Sequence, residues 1–273
     1  MKILDKRELI AKWLKEYAEQ ANVKGYVVGL SGGVDSTCAA ALAVEAVGKE
    51  NVYGVSMPCT LGSQKSRGQD IDDAILVAKI LGIECQVVHL NTAAEEMIGT
   101  TGVHVDMNSI LVSNMKARLR AITLRMLTEE KHYLVLGTTN RTEDVLGYFT
   151  KGGDGGSGID VEPIAHLYKY EVREMVKSFG FPDALVNRVP SAGLFDDQTD
   201  EGELGVKYSQ LDALFELMDD LHSHREISMQ DSDYLIRTFA LNHFGFTEQQ
   251  LHDIYERIYS TKHKRKLAPT IKL

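Results

Sequence analysis

Cysteine, tryptophan, proline, positive charge and long apolar runs are all scarce in this chain. The three cysteines, Cys38, Cys59 and Cys85, are an odd number without paired spacing. That excludes a disulfide framework and a C-x-x-C zinc or redox motif, and leaves buried free thiols. No apolar stretch approaches the roughly 20 residues of a membrane span. The start, Met1-Lys2-Ile3-Leu4-Asp5-Lys6-Arg7, lacks the apolar core of a signal peptide. A cytoplasmic location with no membrane partner is the expectation. The 39 acidic residues outnumber the 30 basic ones, giving a net charge of −9. A chain of that sign does not hold nucleic acid through its overall field. An anionic ligand must instead meet a local cluster of Lys and Arg, or a metal. The 273 residues, 44% of them hydrophobic and 25% charged, have an ordinary globular composition. They suffice for a full core and read as a single domain over 1–273.

The richest segment is Gly29-Leu30-Ser31-Gly32-Gly33-Val34-Asp35-Ser36. Apolar Tyr26-Val27-Val28 precedes it, and small helix-forming residues from Thr37 to Val47 follow. The context predicts strand, glycine turn, helix. Such a turn aims backbone N–H groups and the positive helix end at one point, a seat for phosphate oxygens. No lysine follows Gly33 as a Walker loop requires, and no G-x-G-x-x-G is present. Two hydroxyls and Asp35 take their place. A carboxylate beside a phosphate cradle repels the ligand unless a cation lies between, which makes Asp35 a candidate Mg²⁺ ligand; helix capping is the competing role.

Strands are also expected at 52–56, 85–90 and 133–136. Helices are expected at 5–20, 70–81, 114–127 and 170–179, with three more after Ser209. Alternating strands and helices imply right-handed β-α-β units and an open parallel sheet flanked by helices, Rossmann-like, with extra C-terminal helices packed on it. The turns after Gly29 and after Leu136 then share the carboxyl edge where such sheets bind ligands. Residues 152–158, Gly-Gly-Asp-Gly-Gly-Ser-Gly, are expected to be irregular. Asp200 to Glu203 reads as a capping box, and Lys116 and Arg120 share a helix face that Arg118 does not.

The SGGVDS run resembles the signature of the N-type ATP pyrophosphatases, which cleave ATP between its α and β phosphates. Further blocks, QDIDDA, NMKARLR, LGTTNRTE, FTKGGDGG, QTDEGELG and HKRK, resemble the ammonia-dependent NAD synthetases. That resemblance implies an ATP site at Gly29, Leu30, Ser31, Gly32, Gly33, Val34, Asp35, Ser36, Gln69, Thr138, Lys169 and Ser191, where the family usually carries threonine at the last position. It implies deamido-NAD contacts at Arg118, Lys151, Asp160, His263 and Lys264. It also implies a Mg²⁺ pair, Asp35 and Glu143, with Asp35 and Lys169 acting in catalysis.

The expected reaction is amidation of a carboxylate. Deamido-NAD attacks the α-phosphorus of ATP, pyrophosphate leaves, and ammonia displaces AMP from the acyl-adenylate. The length leaves no room for a glutaminase domain, so ammonia itself is the expected donor. An N-type pyrophosphatase with another acceptor, a tRNA base or a sulfur-transfer substrate, is the alternative; the acidic balance and unpaired cysteines weigh against it. The resemblance further implies a homodimer bordering the dinucleotide site, to which Ile122, Leu124 and Leu127 could contribute, although core packing is the commoner fate of such residues.

Overall fold

The structure is a computed structural model that describes residues 1–61, 68–106, 109–188, 199–223, 229–267 and 269–271. In chain order it runs α1 (Ile3–Gln20), β1 (Tyr26–Gly29), α2 (Val34–Val47), β2 (Val52–Ser56), α3 (Gly68–Leu81), β3 (Glu84–Val87), α4 (Asn91–Thr101), α5 (Ile110–Lys131), β4 (Leu134–Leu136), α6 (Arg141–Leu146), α7 (Lys169–Ser178), α8 (Asp183–Val186), α9 (Asp200–Leu204), α10 (Tyr208–Ser223), α11 (Met229–Asn242) and α12 (Glu248–Ser260). The four strands form one parallel sheet in the order β3-β2-β1-β4. Tyr26 stands opposite Val52 on one side and Leu134 on the other. The strand order reverses between β1 and β4, so a crevice opens beyond their carboxyl ends.

Strand periodicity divides the core. Tyr26 and Val28 face one helical layer, where Leu14 of α1, Leu42 of α2 and Val176 of α7 are fully buried. Val27, Val55 and Val135 face the other layer, against Leu119 and Leu124 of α5. Helix α2 is buried on almost every side from Ser36 to Ala43, which its alanines permit by letting α1, α7 and the sheet approach closely. A third apolar cluster joins Leu146 of α6 to Leu211, Phe215, Ile236 and Leu251 of the C-terminal helices.

Several elements differ from expectation. The buried stripe of α1 is Ile10, Leu14 and Ala18, while Leu9 and Trp13 are exposed. On α3, Val77 is buried and Ile75 exposed. The third strand ends at Val87, and its alternating exposure marks a sheet edge. Helix α9 is capped by Thr199, whose hydroxyl accepts from the Gly202 N–H, so the acidic box of Asp200 to Glu203 does not form. Asp200 is thereby turned inward and buried. The glycine-rich segment contains a short 3₁₀ turn at Gly156–Gly158. Leu124 lies in the core and Leu127 packs against it, whereas Ile122 is exposed.

Candidate active site

The turn after β1 forms a cradle. Gly33 occupies the N-cap of α2 and contributes no side-chain cap, which leaves the first-turn amides directed at the crevice. Ser36 Oγ donates to the Gly33 carbonyl at 3.1 Å and lies 3.1 Å from Ser31 Oγ, while Thr37 Oγ1 also donates to Gly33 at 2.8 Å. Gly32 holds a φ of +74°, and a Cβ there would stand 2.7 Å from both Arg188 Nη1 and Asp73 Cβ. Only glycine fits this position. Arg188 Nη1 donates to the Gly32 carbonyl at 3.1 Å, and its guanidinium pairs with Asp73 at 2.7 Å and with Asp70. Asp70 and Asp73 of α3 thus hold an arginine over the cradle.

A second group closes on the cradle from β4 and beyond. Asn140 caps α6, accepting from the Glu143 N–H at 3.0 Å, and its own N–H donates back to Glu143 Oε2 at 3.3 Å. The same side chain donates to Asp35 Oδ1 at 2.9 Å. Lys169, 1% exposed, opens α7 and extends its ammonium to Asp35 Oδ2 at 2.6 Å and Glu143 Oε1 at 3.1 Å. The Lys169 backbone is set by Asp212 of α10, which accepts from the Tyr170 N–H at 3.0 Å, the Lys169 N–H at 3.4 Å and Thr142 Oγ1 at 2.5 Å. Tyr208 places its ring 4.7 Å from the Lys169 ammonium and its hydroxyl 3.0 Å from Asp200 and 3.4 Å from Glu143.

Charge is concentrated here. Burial, with Asp35 and Asp200 nearby, pushes the Glu143 carboxyl up to about 7 against the downward pull of Lys169. Burial works to lower the Lys169 ammonium, but Asp35 and Glu143 outweigh it and hold it above its ordinary value. Burial also raises Asp154, whose carboxylate accepts from the Thr150 N–H at 2.7 Å.

Together these groups wall a cavity of about 340 Å³ at the carboxyl edge of the sheet. Gly29, Leu30, Ser31, Gly33, Val34, Asp35, Ser36, Thr138, Glu143 and Lys169 line it. Gln69 is exposed beside it and donates to Asp73 at 2.7 Å. Ser191 lies outside the described residues. Arg120, Tyr148, Asp154, Arg188 and Asp200 also line the cavity; Arg120, Asp154 and Asp200 fall within the family-like blocks without being among the site residues that the resemblance implies, and no local motif singles out Tyr148 or Arg188. Asn140 was legible in principle, because Asn-x-x-Glu is a capping box.

The remaining sequence candidates have protein partners. Lys151 Nζ donates to the carbonyls of His263 and Lys266 at 3.1 and 3.2 Å. Lys264 Nζ donates to Gly147 and Phe149 at 2.9 and 2.8 Å. His263 Nδ1 lies 2.9 Å from the Ser260 carbonyl. Asp160 takes two 2.6 Å bonds from Arg125 and one of 2.8 Å from the Val135 N–H. Arg118 is exposed on α5, whereas Lys116 is buried.

Asp35 and Glu143 already share one cation, the Lys169 ammonium, which shows that the two carboxylates can converge on a single positive centre. Among the described residues no group of three or more His, Cys, Asp or Glu side chains could hold a metal. Two carboxylates suit Mg²⁺, which keeps waters and phosphate oxygens in its shell, and do not suit a metal that needs an all-protein cage.

A model of the family described as NAD synthase matches residues 7–268. The NH(3)-dependent NAD(+) synthetase of Thermococcus sibiricus is 37% identical over 270 residues, which are 98% of this chain and 98% of that protein. Among solved structures, NMN synthetase from Francisella tularensis is 29% identical with a TM-score of 0.81, covering all of both chains. NH3-dependent NAD synthetase from Campylobacter jejuni, at 22% identity, shares the fold with a TM-score of 0.77 and full coverage of both chains.

Proposed function

We propose, on the premise that the chain belongs to the NAD synthase family, that the cleft between the Ser31 cradle and Lys169 is where ATP and the acid substrate meet. The chain is a carbon–nitrogen ligase that amidates deamido-NAD with ammonia, using ATP as co-substrate, to give NAD. This family leaves no case for a tRNA base or a sulfur-transfer acceptor. The observation that carries the site is the convergence of Asp35, Glu143 and Lys169 at the mouth of a capless helix N-terminus.

The α2 amides and the Ser31 and Ser36 hydroxyls cradle the phosphates that become pyrophosphate. Asp35 and Glu143 would hold Mg²⁺, which when bound would neutralise charge developing on the leaving group. Lys169 adds its positive charge from the wall opposite the cradle, and charge-assisted bonds of this kind contribute about 1.5–3 kcal/mol each. Thr138 sits where it can donate to a phosphate or ribose. Holding the nicotinate carboxylate in line with the α-phosphorus supplies most of the rate, because the adenylation needs little proton transfer. Gln69 and Ser191 complete the ATP contacts. Lys151, Asp160, His263 and Lys264 shape the dinucleotide side of the cleft through the glycine-rich loop that they fasten.

Residues 1–273 act as one functional unit, cytoplasmic and homodimeric. Arg118, Ile122 and Met126 recur every fourth residue on one exposed face of α5. That exposed face is the surface we assign to the dimer contact, with Arg118 serving a dinucleotide bound to the partner subunit. Purified protein given ATP, Mg²⁺ and deamido-NAD should form NAD⁺ from ammonium and not from glutamine. Asp35→Asn and Glu143→Gln should abolish AMP release; unchanged turnover in either refutes the site. Because the Francisella tularensis neighbour is an NMN synthetase, the same assay with nicotinate mononucleotide decides between a dinucleotide and a mononucleotide acid. A kcat/KM higher for the mononucleotide would overturn the deamido-NAD assignment.

A further inference from the structure

We infer that Lys169 is the resident counter-ion of the Asp35–Glu143 pair, so that the divalent metal enters this cleft with the nucleotide and not before it. The inference rests on the proposed reading of that pair as the metal site. All four carboxylate oxygens of the pair already have donors. Asp35 Oδ1 takes the Asn140 amide at 2.9 Å and Glu143 Oε2 the Asn140 N–H at 3.3 Å. Asp35 Oδ2 and Glu143 Oε1 take the Lys169 ammonium at 2.6 and 3.1 Å.

Each of these oxygens keeps a further acceptor direction, but a metal there would meet the Lys169 charge at close range unless one of these partners gives way. Asn140 is fully buried and is the cap of α6, so its bonds are fixed by the helix it starts. Lys169 reaches the pair with a flexible four-carbon stem whose ammonium has no preferred direction of approach. Metal and ammonium are both cations, and their repulsion weakens metal binding for as long as the ammonium stays on the same two oxygens. Asp200 is the other acid acting on Lys169, but its oxygens already accept from Tyr148 and Tyr208, so a displaced Lys169 would keep its charge in a buried setting with poorer pairing, which is disfavoured. A triphosphate removes that obstacle in two ways: it gives Lys169 new acceptors and the metal its remaining ligands. Binding of metal and of nucleotide are then reciprocally coupled.

Mn²⁺ in place of Mg²⁺ lets binding be read without turnover, from the enhancement of water-proton relaxation, which separates protein-bound Mn²⁺ from Mn²⁺ held by the nucleotide alone. Wild type alone should bind Mn²⁺ at least tenfold more weakly than Lys169→Met alone, and adding the non-cleavable α,β-methylene analogue of ATP should restore tight binding to wild type. The double variant D35N/K169M should lose the nucleotide-free site. Lys169→Gln, which keeps a donor without the charge, should behave as Lys169→Met and serves if the latter fails to fold. Nucleotide-free wild type that holds one Mn²⁺ as tightly as the variants, with loss in Asp35→Asn, would overturn the inference and leave the metal pair standing. No Mn²⁺ in any protein, even with the analogue, would instead refute the metal pair itself.

Discussion

Replacing Asp212 tests how Lys169 is held. Asp212 is 3% exposed and accepts three bonds across the junction of α6, α7 and α10. The Thr142 hydroxyl can rotate to another acceptor, and the Lys169 N–H bond at 3.4 Å is weak. The Tyr170 N–H at 3.0 Å is well formed. Asp212→Ala therefore orphans two buried backbone donors at a helix N-terminus. At about 1–3 kcal/mol for each unsatisfied group, discounted for the weak bond, the cost is about 3 kcal/mol. Asp212→Asn keeps one acceptor oxygen but turns an NH₂ toward a donor. Burial raises Asp212 above its ordinary carboxylate range despite its hydrogen bonds, so its charge is held at some cost. The amide variant regains that cost and should lose only about 1 kcal/mol. In urea, with a slope near 3 kcal/mol per molar, the alanine variant should unfold about 1 M earlier than wild type. Its kcat should fall more than its KM for ATP rises, because the start of α7 carries Lys169. Equal losses in the two variants, or a loss under 1 kcal/mol in Asp212→Ala, would refute this account.

Three further outcomes are expected. Glu143, raised from 4.5 to about 7, binds its proton more tightly in the folded than in the unfolded chain. Its contribution to the stability of the metal-free and nucleotide-free protein must then fall as pH rises from about 4.5 to 7, by about 2–3 kcal/mol; Glu143→Gln should flatten that slope in urea unfolding, and an unchanged slope would contradict it. Gly32→Ala forces a side chain into a left-handed conformation costing about 1–2 kcal/mol and against Asp73 and Arg188, so KM for ATP should rise at least tenfold, as read by initial rates. Lys264→Met removes the donor to the Gly147 and Phe149 carbonyls, in the segment that leads into the glycine-rich loop, and should raise KM for deamido-NAD about tenfold, equivalent to ~1.4 kcal/mol, with kcat nearly unchanged.

Much of the sheet was legible because parallel strands buried on both faces read as short apolar runs, as Val52–Ser56 does. The cradle was legible because phosphate recognition by a helix N-terminus is local in sequence. The short helix α6 is a capping box in plain view, yet a six-residue helix carries no apolar period to find it by. On α1 the large residues Trp13 and Tyr17 stand exposed, and small Ala11 and Ala18 are buried with Ile10 and Leu14, because close packing against α2 favours small side chains at the contact. Asp200 and Tyr208 reach the site because α9 is capped one residue earlier than the acids suggest. Arg188 is visible only in three dimensions, since its partners lie 118 and 156 positions away.

The staple between the glycine-rich loop and residues 261–266 bears on biosynthesis. By the time Asp212 has emerged from the ribosome, all the described strands and the groups around Lys169 have been made. The last turn of α6 still lacks the Arg265 guanidinium that caps the Asp144 and Val145 carbonyls, and the loop after it lacks Lys264. A nascent chain therefore assembles the phosphate end of its cleft early and fastens the opposite end late. Competence arrives with a handful of basic residues translated more than 100 positions after the backbone they fasten.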